Sequence, residues 1–168
     1  QVEYKLKISN ANLYFEKDRL TWNFINPELL GEHDHSEVNH NSDLSGHVYH
    51  VGFVGSNPEV LISGEREHSD HINFIKGNDP SNWASGVKPY HQTTYEDIYD
   101  GIDIHYYQQY KHLKYDVLVD AGVDPTQFKM KYSGVDAINL KNGKLTITNT
   151  FNTVEESIPE TYQIINGQ

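Results

Sequence analysis

Apolar and polar positions alternate along most of the chain. Tyr4, Leu6 and Ile8 alternate with Lys5, Lys7 and Ser9, the period-two pattern of a half-buried strand. Leu13 and Phe15 then meet Leu20, Trp22 and Phe24 across Glu16-Lys17-Asp18-Arg19, which predicts a hairpin with a polar four-residue turn. Over residues 47–54, Val48, His50 and Gly52 oppose Tyr49, Val51 and Phe53, and after a Gly-Ser-Asn-Pro turn Val60, Leu61 and Ile62 predict another strand. A charged turn is expected over residues 64–71, followed by a short extended segment in which His71, Asn73 and Ile75 oppose Ile72 and Phe74. The second half is more regular. Ile102, Ile104 and Tyr106 alternate with Asp103, His105 and Tyr107, and the next strand runs through Leu113, Tyr115, Val117 and Val119. Phe128, Met130 and Tyr132 share a face, while Ile138 and Leu140 face Leu145 and Ile147 across Lys141-Asn142-Gly143-Lys144. Asn-Gly is the strongest short hairpin signal here, because both central residues tolerate positive φ. The tail, residues 154–165, predicts an edge strand broken at Pro159.

Helical signals are limited to single turns. Asp79 before Pro80 predicts a capped turn, and residues 95–99, ended by Asp100-Gly101, predict a second. Residues 26–46 lose all periodicity and bring His33, Asp34, His35 and His40 close together, with His47 just beyond, so a long exposed loop is expected there. No internal repeat or low-complexity linker stands out. The predicted fold is all-β: an antiparallel β-sandwich or strongly curled sheet with one or two short helical turns. One domain over residues 1–168 is expected, with two small lobes either side of residues 26–46 as the alternative.

Composition agrees with sheet. Of 168 residues, 34 are Val, Ile or Thr and 20 are aromatic, against 4 Ala. The absence of Cys removes disulfides and thiolate-bound metals. A formal charge of -11 argues against nucleic acid as a partner, since phosphate contacts need a basic surface. No apolar run approaches the roughly 20 residues that span a bilayer, so no membrane insertion is expected. The chain begins at Gln1, which fits removal of a leader or excision from a longer protein and leaves export open.

The ordered motifs Ile75-Lys76-Gly77-Asn78-Asp79-Pro80-Ser81-Asn82-Trp83, Tyr95-Glu96-Asp97-Ile98-Tyr99-Asp100-Gly101-Ile102-Asp103 and Leu113-Lys114-Tyr115-Asp116 resemble a family of β-rich domains of unknown function. These lie near the N-terminus of large exported proteins, chiefly of Bacteroidetes. The strand-turn-strand at residues 11–24, the strand at 47–53 and Ala121-Gly122-Val123-Asp124-Pro125 extend the resemblance over nearly the full chain. It implies neighbouring β-propeller-like repeats, immunoglobulin-like modules or sorting domains of the gliding and type IX secretion kind, and a secreted or cell-surface setting. It carries no catalytic residues. The His-rich stretch is where this sequence departs from the family.

Candidate chemistry is sparse. His33, His35 and His40 offer imidazole ligands for zinc, nickel or copper, and Asp100 and Asp103, with Asp97, offer oxygen ligands for calcium without an EF-hand spacing. His47 and His50 are three apart and point to opposite faces of a strand. His105 shares a face with Asp103 and Tyr107. Ser69, Asp70 and His71 alternate in direction and form no triad, and no nucleophile elbow, zinc-protease or nucleotide-binding motif is present. No enzyme activity and no cofactor are expected. The leading expectation is a non-catalytic structural or adhesion-associated module partnered by neighbouring domains of the same protein. The alternative is glycan binding through Trp83, Tyr90, Tyr95, Tyr99 and Tyr107, whose rings can stack on sugars. A glycoside hydrolase built from distant carboxylates is the less favoured third reading.

Overall fold

The computed structural model describes residues 1–8, 10–26, 45–110, 112–158 and 160–162. The expected loop therefore falls outside the described residues except at its ends, where the Asn26 amide donates to the Ser45 carbonyl at 3.1 Å. Among the described residues the structure is all-β, with several antiparallel sheets and two single 3-10 turns, a sandwich-like arrangement. The chain divides into two compact units, Gln1–Phe53 with Met130–Gln168, and Val54–Lys129.

In the first unit, β1 (Val2–Ile8), β2 (Ala11–Glu16), β3 (Arg19–Ile25) and β4 (Gly46–Phe53) form an antiparallel meander, closed on its far side by Met130–Ser133. The register sets Leu13 against Trp22 and Trp22 against Tyr49, so one face carries the unit's apolar residues. Leu13, Phe15, Leu20, Phe24, Tyr49 and Val51 are buried there. Trp22, Phe24 and Tyr49 stack with ring centroids 5.6 to 6.1 Å apart. A second sheet, Ala137–Lys141, Lys144–Thr148 and Thr153–Ser157, adds buried Ile147 and reaches the first through the Tyr132 hydroxyl, which donates to Glu156 Oε2 at 2.7 Å. Burial, and then the Glu156 charge, push the Tyr49 phenol far above its ordinary range. Asn142 and Gly143 both have positive φ, 51° and 71°, as an Asn-Gly hairpin requires.

In the second unit, β5 (Leu61–Glu67), β6 (Ile72–Phe74), β7 (Ala84–Val87), β8 (Tyr90–Tyr99), β9 (Ile102–Gln109) and β10 (His112–Val119) follow in chain order. One sheet has the order β10-β9-β8-β5, and β6 pairs with β7 alone. Its core is Val60, Tyr95, Ile98, Tyr99, Ile102, Ile104 and Tyr106.

Two local expectations are corrected. The charged stretch after Ile62 is not wholly a turn: β5 continues to Glu67, because Glu65 pairs across to Gln92 and its carboxylate accepts from Thr94 and Gln92. Residues 95–99 are not a helical turn but the end of β8. Between the pairs Tyr95–Ile104 and Tyr99–Ile102 the ladder bulges, with Asp97 at φ 49° and its amide donating to Asp103 Oδ1 at 2.7 Å. The bulge lets Tyr95, Ile98 and Tyr99 all turn inward.

Candidate functional site

The least ordinary surface of the second unit is the β6-β7 projection. Every residue from 69 to 88 is exposed, yet the segment carries Ile72, Phe74, Ile75, Trp83 and Val87. Exposed segments are normally polar, and a two-stranded hairpin is at best marginal alone in water. This one is held by local polar bonds. Ile72 pairs with Val87 and Phe74 with Ala84, which puts Ile72, Phe74 and Val87 on one face. The extra residue on β7 leaves Gly86 at φ 69°, and its amide donates to Asn73 Oδ1 at 2.9 Å.

At the tip, Asp79 caps the 3-10 turn Pro80–Asn82. Its carboxylate accepts from the Ser81 amide at 3.0 Å, the Ser81 hydroxyl at 2.8 Å and Asn82 Nδ2 at 3.2 Å. The bonds from Ser81 hold this carboxyl below its ordinary range. The Trp83 indole N–H reaches back to the Gly77 carbonyl at 3.3 Å, while the residue stays 42% exposed. At the base, the Tyr90 ring lies over Gly64: a Cβ there would sit 2.5 Å from Tyr90 Cγ.

A second surface is the polar face of the four-stranded sheet. The register aligns Glu65, Gln92, Tyr107 and Lys114 in one row, and Ser63, Thr94, His105 and Asp116 in the next. Arg66 donates to Gln92 Oε1 at 2.9 Å, Thr94 Oγ1 donates to Glu65 Oε1 at 2.5 Å, and the Tyr107 hydroxyl donates to Asp116 Oδ1 at 3.3 Å. This is a polar face, with Thr94 buried in it and the Tyr107 ring half-buried beside it.

A family model described as Domain of unknown function (DUF7948) matches residues 1–168. The chain belongs to this family. No curated protein and no solved structure matches it.

The aromatic residues singled out in this DUF7948 domain divide by burial. Tyr95 and Tyr99 are 0% and 6% exposed, so their rings are committed to the core; Tyr107 is half-buried on the polar face, Trp83 sits at the tip of the projection and Tyr90 at its base. The structure does not bring these five onto one surface. His33, His35 and His40 lie outside the described residues. Asp103 is engaged by the Asp97 amide, and among the described residues no three His, Asp or Glu side chains converge as a metal site. His47 and His50 do diverge: His50 Nδ1 lies 2.9 Å from the Thr21 hydroxyl, whereas His47 contacts Thr150 Oγ1 at 2.9 Å and the Gly134 carbonyl at 2.7 Å. Thr150 Oγ1 also reaches Asp136 Oδ2 at 3.3 Å. This is not a hydrolytic constellation, because the hydroxyl sits between imidazole and carboxylate while the far imidazole nitrogen faces a carbonyl. Sequence reading missed the apolar face of the projection; the run Ile72 to Ile75 was visible, its exposure was not.

Proposed function

We propose that this domain is a non-catalytic docking module of a secreted or cell-surface multidomain protein, and that the β6-β7 projection is its docking surface. The observation that supports the reading is the uninterrupted exposure of residues 69–88 together with five large apolar side chains on an ordered hairpin. A segment so shaped gains stability when a partner covers its face. The resemblance to domains at the head of large exported Bacteroidetes proteins, followed by propeller-like repeats or sorting domains, supports neighbouring domains of the same protein as the partner and an adhesion-associated context. The test is calorimetric titration of the chain with those neighbouring domains, for the native sequence and for Phe74→Ser. Loss of about tenfold or more in affinity is the expected result for a hot-spot aromatic; equal affinity of the two chains would refute the assignment of the surface.

A second reading, glycan binding, is favoured by the placement of Tyr107 among Gln92, Glu65 and Lys114 on one sheet face. A glycan array with calcium and again with EDTA tests it, with Tyr107→Ala as the control: saturable binding lost in the variant supports it, and an array blank in both conditions removes it.

A further inference from the structure

The tip of the projection has a twin within the same unit. Gly77-Asn78-Asp79-Pro80-Ser81-Asn82-Trp83 and Gly122-Val123-Asp124-Pro125-Thr126-Gln127-Phe128 follow one pattern: Gly, any residue, Asp, Pro, Ser or Thr, Asn or Gln, aromatic. The backbone agrees as closely as the sequence. Both glycines have positive φ, 68° and 88°. Both Asp residues are extended N-caps that accept from the amide two residues on, at 3.0 and 2.9 Å, and from that residue's hydroxyl at 2.8 Å. Both prolines open a 3-10 turn, and both aromatic residues close it by donating their amide to the proline carbonyl, at 3.1 and 3.2 Å.

What differs is the seat of the aromatic ring. Phe128 meets Tyr99 edge-on, with centroids 6.3 Å apart and planes at 87°. Tyr99 is buried, and its hydroxyl lies within hydrogen-bond distance of the carbonyls of Val54 and of Lys129, the residue after Phe128. The second turn is thus a plug with its socket. Trp83 occupies the same position on the first turn and has no such wall among the described residues: its neighbours in the chain are all exposed.

Charge narrows the occupant. Residues 69–88 carry two Lys (76 and 88) and two Asp (70 and 79), a net of zero, so the chain's charge of -11 lies elsewhere. This balance sets the segment apart from the acidic remainder of the chain, and -11 on every copy opposes self-association. Lys88 is paired with Glu67 and Asp70 with His68, whereas Lys76, beside the turn, makes no ion pair among the described residues.

We infer that the turn Gly77 to Trp83 is a plug whose socket lies on a neighbouring domain, an apolar pocket walled by a Tyr or Phe ring that receives Trp83 edge-on, with a carboxylate at its rim for Lys76. The inference rests on the docking reading above and names the chemistry of the partner. It predicts that Phe replaces Trp at this position, since the twin uses Phe, and that a small polar residue does not.

Hydroxyl-radical footprinting read by mass spectrometry resolves oxidation at Trp83, with Trp22 as the internal reference, in the 168-residue chain and in the longer protein containing it; amide exchange over residues 72–88 is read on the same samples. Seating Trp83, a residue 42% exposed, lowers its oxidation relative to Trp22. Protected amides with protected Trp83, retained in Trp83→Phe and lost in Trp83→Ser, support the inference. Protected amides with Trp83 oxidised as in the short chain overturn the plug and leave docking standing. Unprotected amides and an unprotected ring overturn both, and protection that appears in the short chain with a doubled mass would assign the socket to a second copy and overturn the choice of partner.

Discussion

Replacing Gly64 by Ala tests how the base of the projection is built. A Cβ at this position would lie 2.5, 2.6 and 2.8 Å from Cγ, Cδ2 and Cδ1 of Tyr90, closer than any real contact, so the ring must leave. Tyr90 is 39% exposed, so it swings into solvent without disturbing the core beneath β8. The loss is therefore the covered part of one aromatic side chain, about 1–2 kcal/mol at roughly 25 cal/mol per Å². Urea denaturation followed by circular dichroism measures it. The decisive comparison is a double-mutant cycle with Tyr90→Ala: once the ring is gone, Gly64→Ala is expected to cost less than about 0.5 kcal/mol more, because methyl and ring no longer compete. Additive losses from the two substitutions would refute the account, since they would mean that the backbone at residue 64, not the ring above it, requires glycine.

Gly101 poses a stricter constraint. With φ 70° and a would-be Cβ 2.7 Å from Val123 Cγ2, Gly101→Ala is expected to lose about 2–4 kcal/mol of stability, partly restored by Val123→Ala in the same urea assay. In the first unit, burial alone raises the Glu16 carboxyl, but hydrogen bonds from Thr21 and Arg19 and the Arg19 charge hold it below its ordinary 4.5. A depressed carboxylate contributes stability above its unfolded pKa and loses it as pH falls through the lower folded value, so thermal stability should drop below about pH 4.5 with a slope that Glu16→Gln reduces. Finally, Leu13→Ala, at a site with 0% exposure, should cost about 2–5 kcal/mol, whereas Phe74→Ser, 45% exposed, should cost the isolated chain under about 1.5 kcal/mol and show its main effect on docking.

Much of the fold was legible because its signals are local. Period-two alternation located the meander of the first unit and the β9-β10 pair, Asn142-Gly143 fixed its hairpin, and Asp79-Pro80 announced its capped turn. What escaped depended on distant partners. Glu65 to Glu67 look like a turn until Gln92 and Thr94 supply their cross-strand partners, and residues 95–99 look helical until Asp103 captures the Asp97 amide and opens a bulge. The pairing of β4 with Met130–Ser133 joins residues about half a chain length apart, and alternation alone carries no record of it. The twin turns were in plain view, since residues 77–83 and 122–128 align without a gap, but at seven residues they fall below the 20–50 residue period by which repeats are sought. The site was legible as composition and not as geometry: tyrosines were visible, whereas burial of Tyr95 and Tyr99 and exposure of Ile72, Phe74 and Trp83 are consequences of sheet packing.

The central proposal is that the β6-β7 projection is covered when the domain sits in a longer multidomain protein. Hydrogen exchange at residues 72–88, compared between the 168-residue chain and that protein, addresses it most directly. These amides are expected to exchange at least about tenfold more slowly with neighbouring domains present, while the buried β9 amides exchange alike in both. Equal exchange at residues 72–88 in the two samples would contradict it.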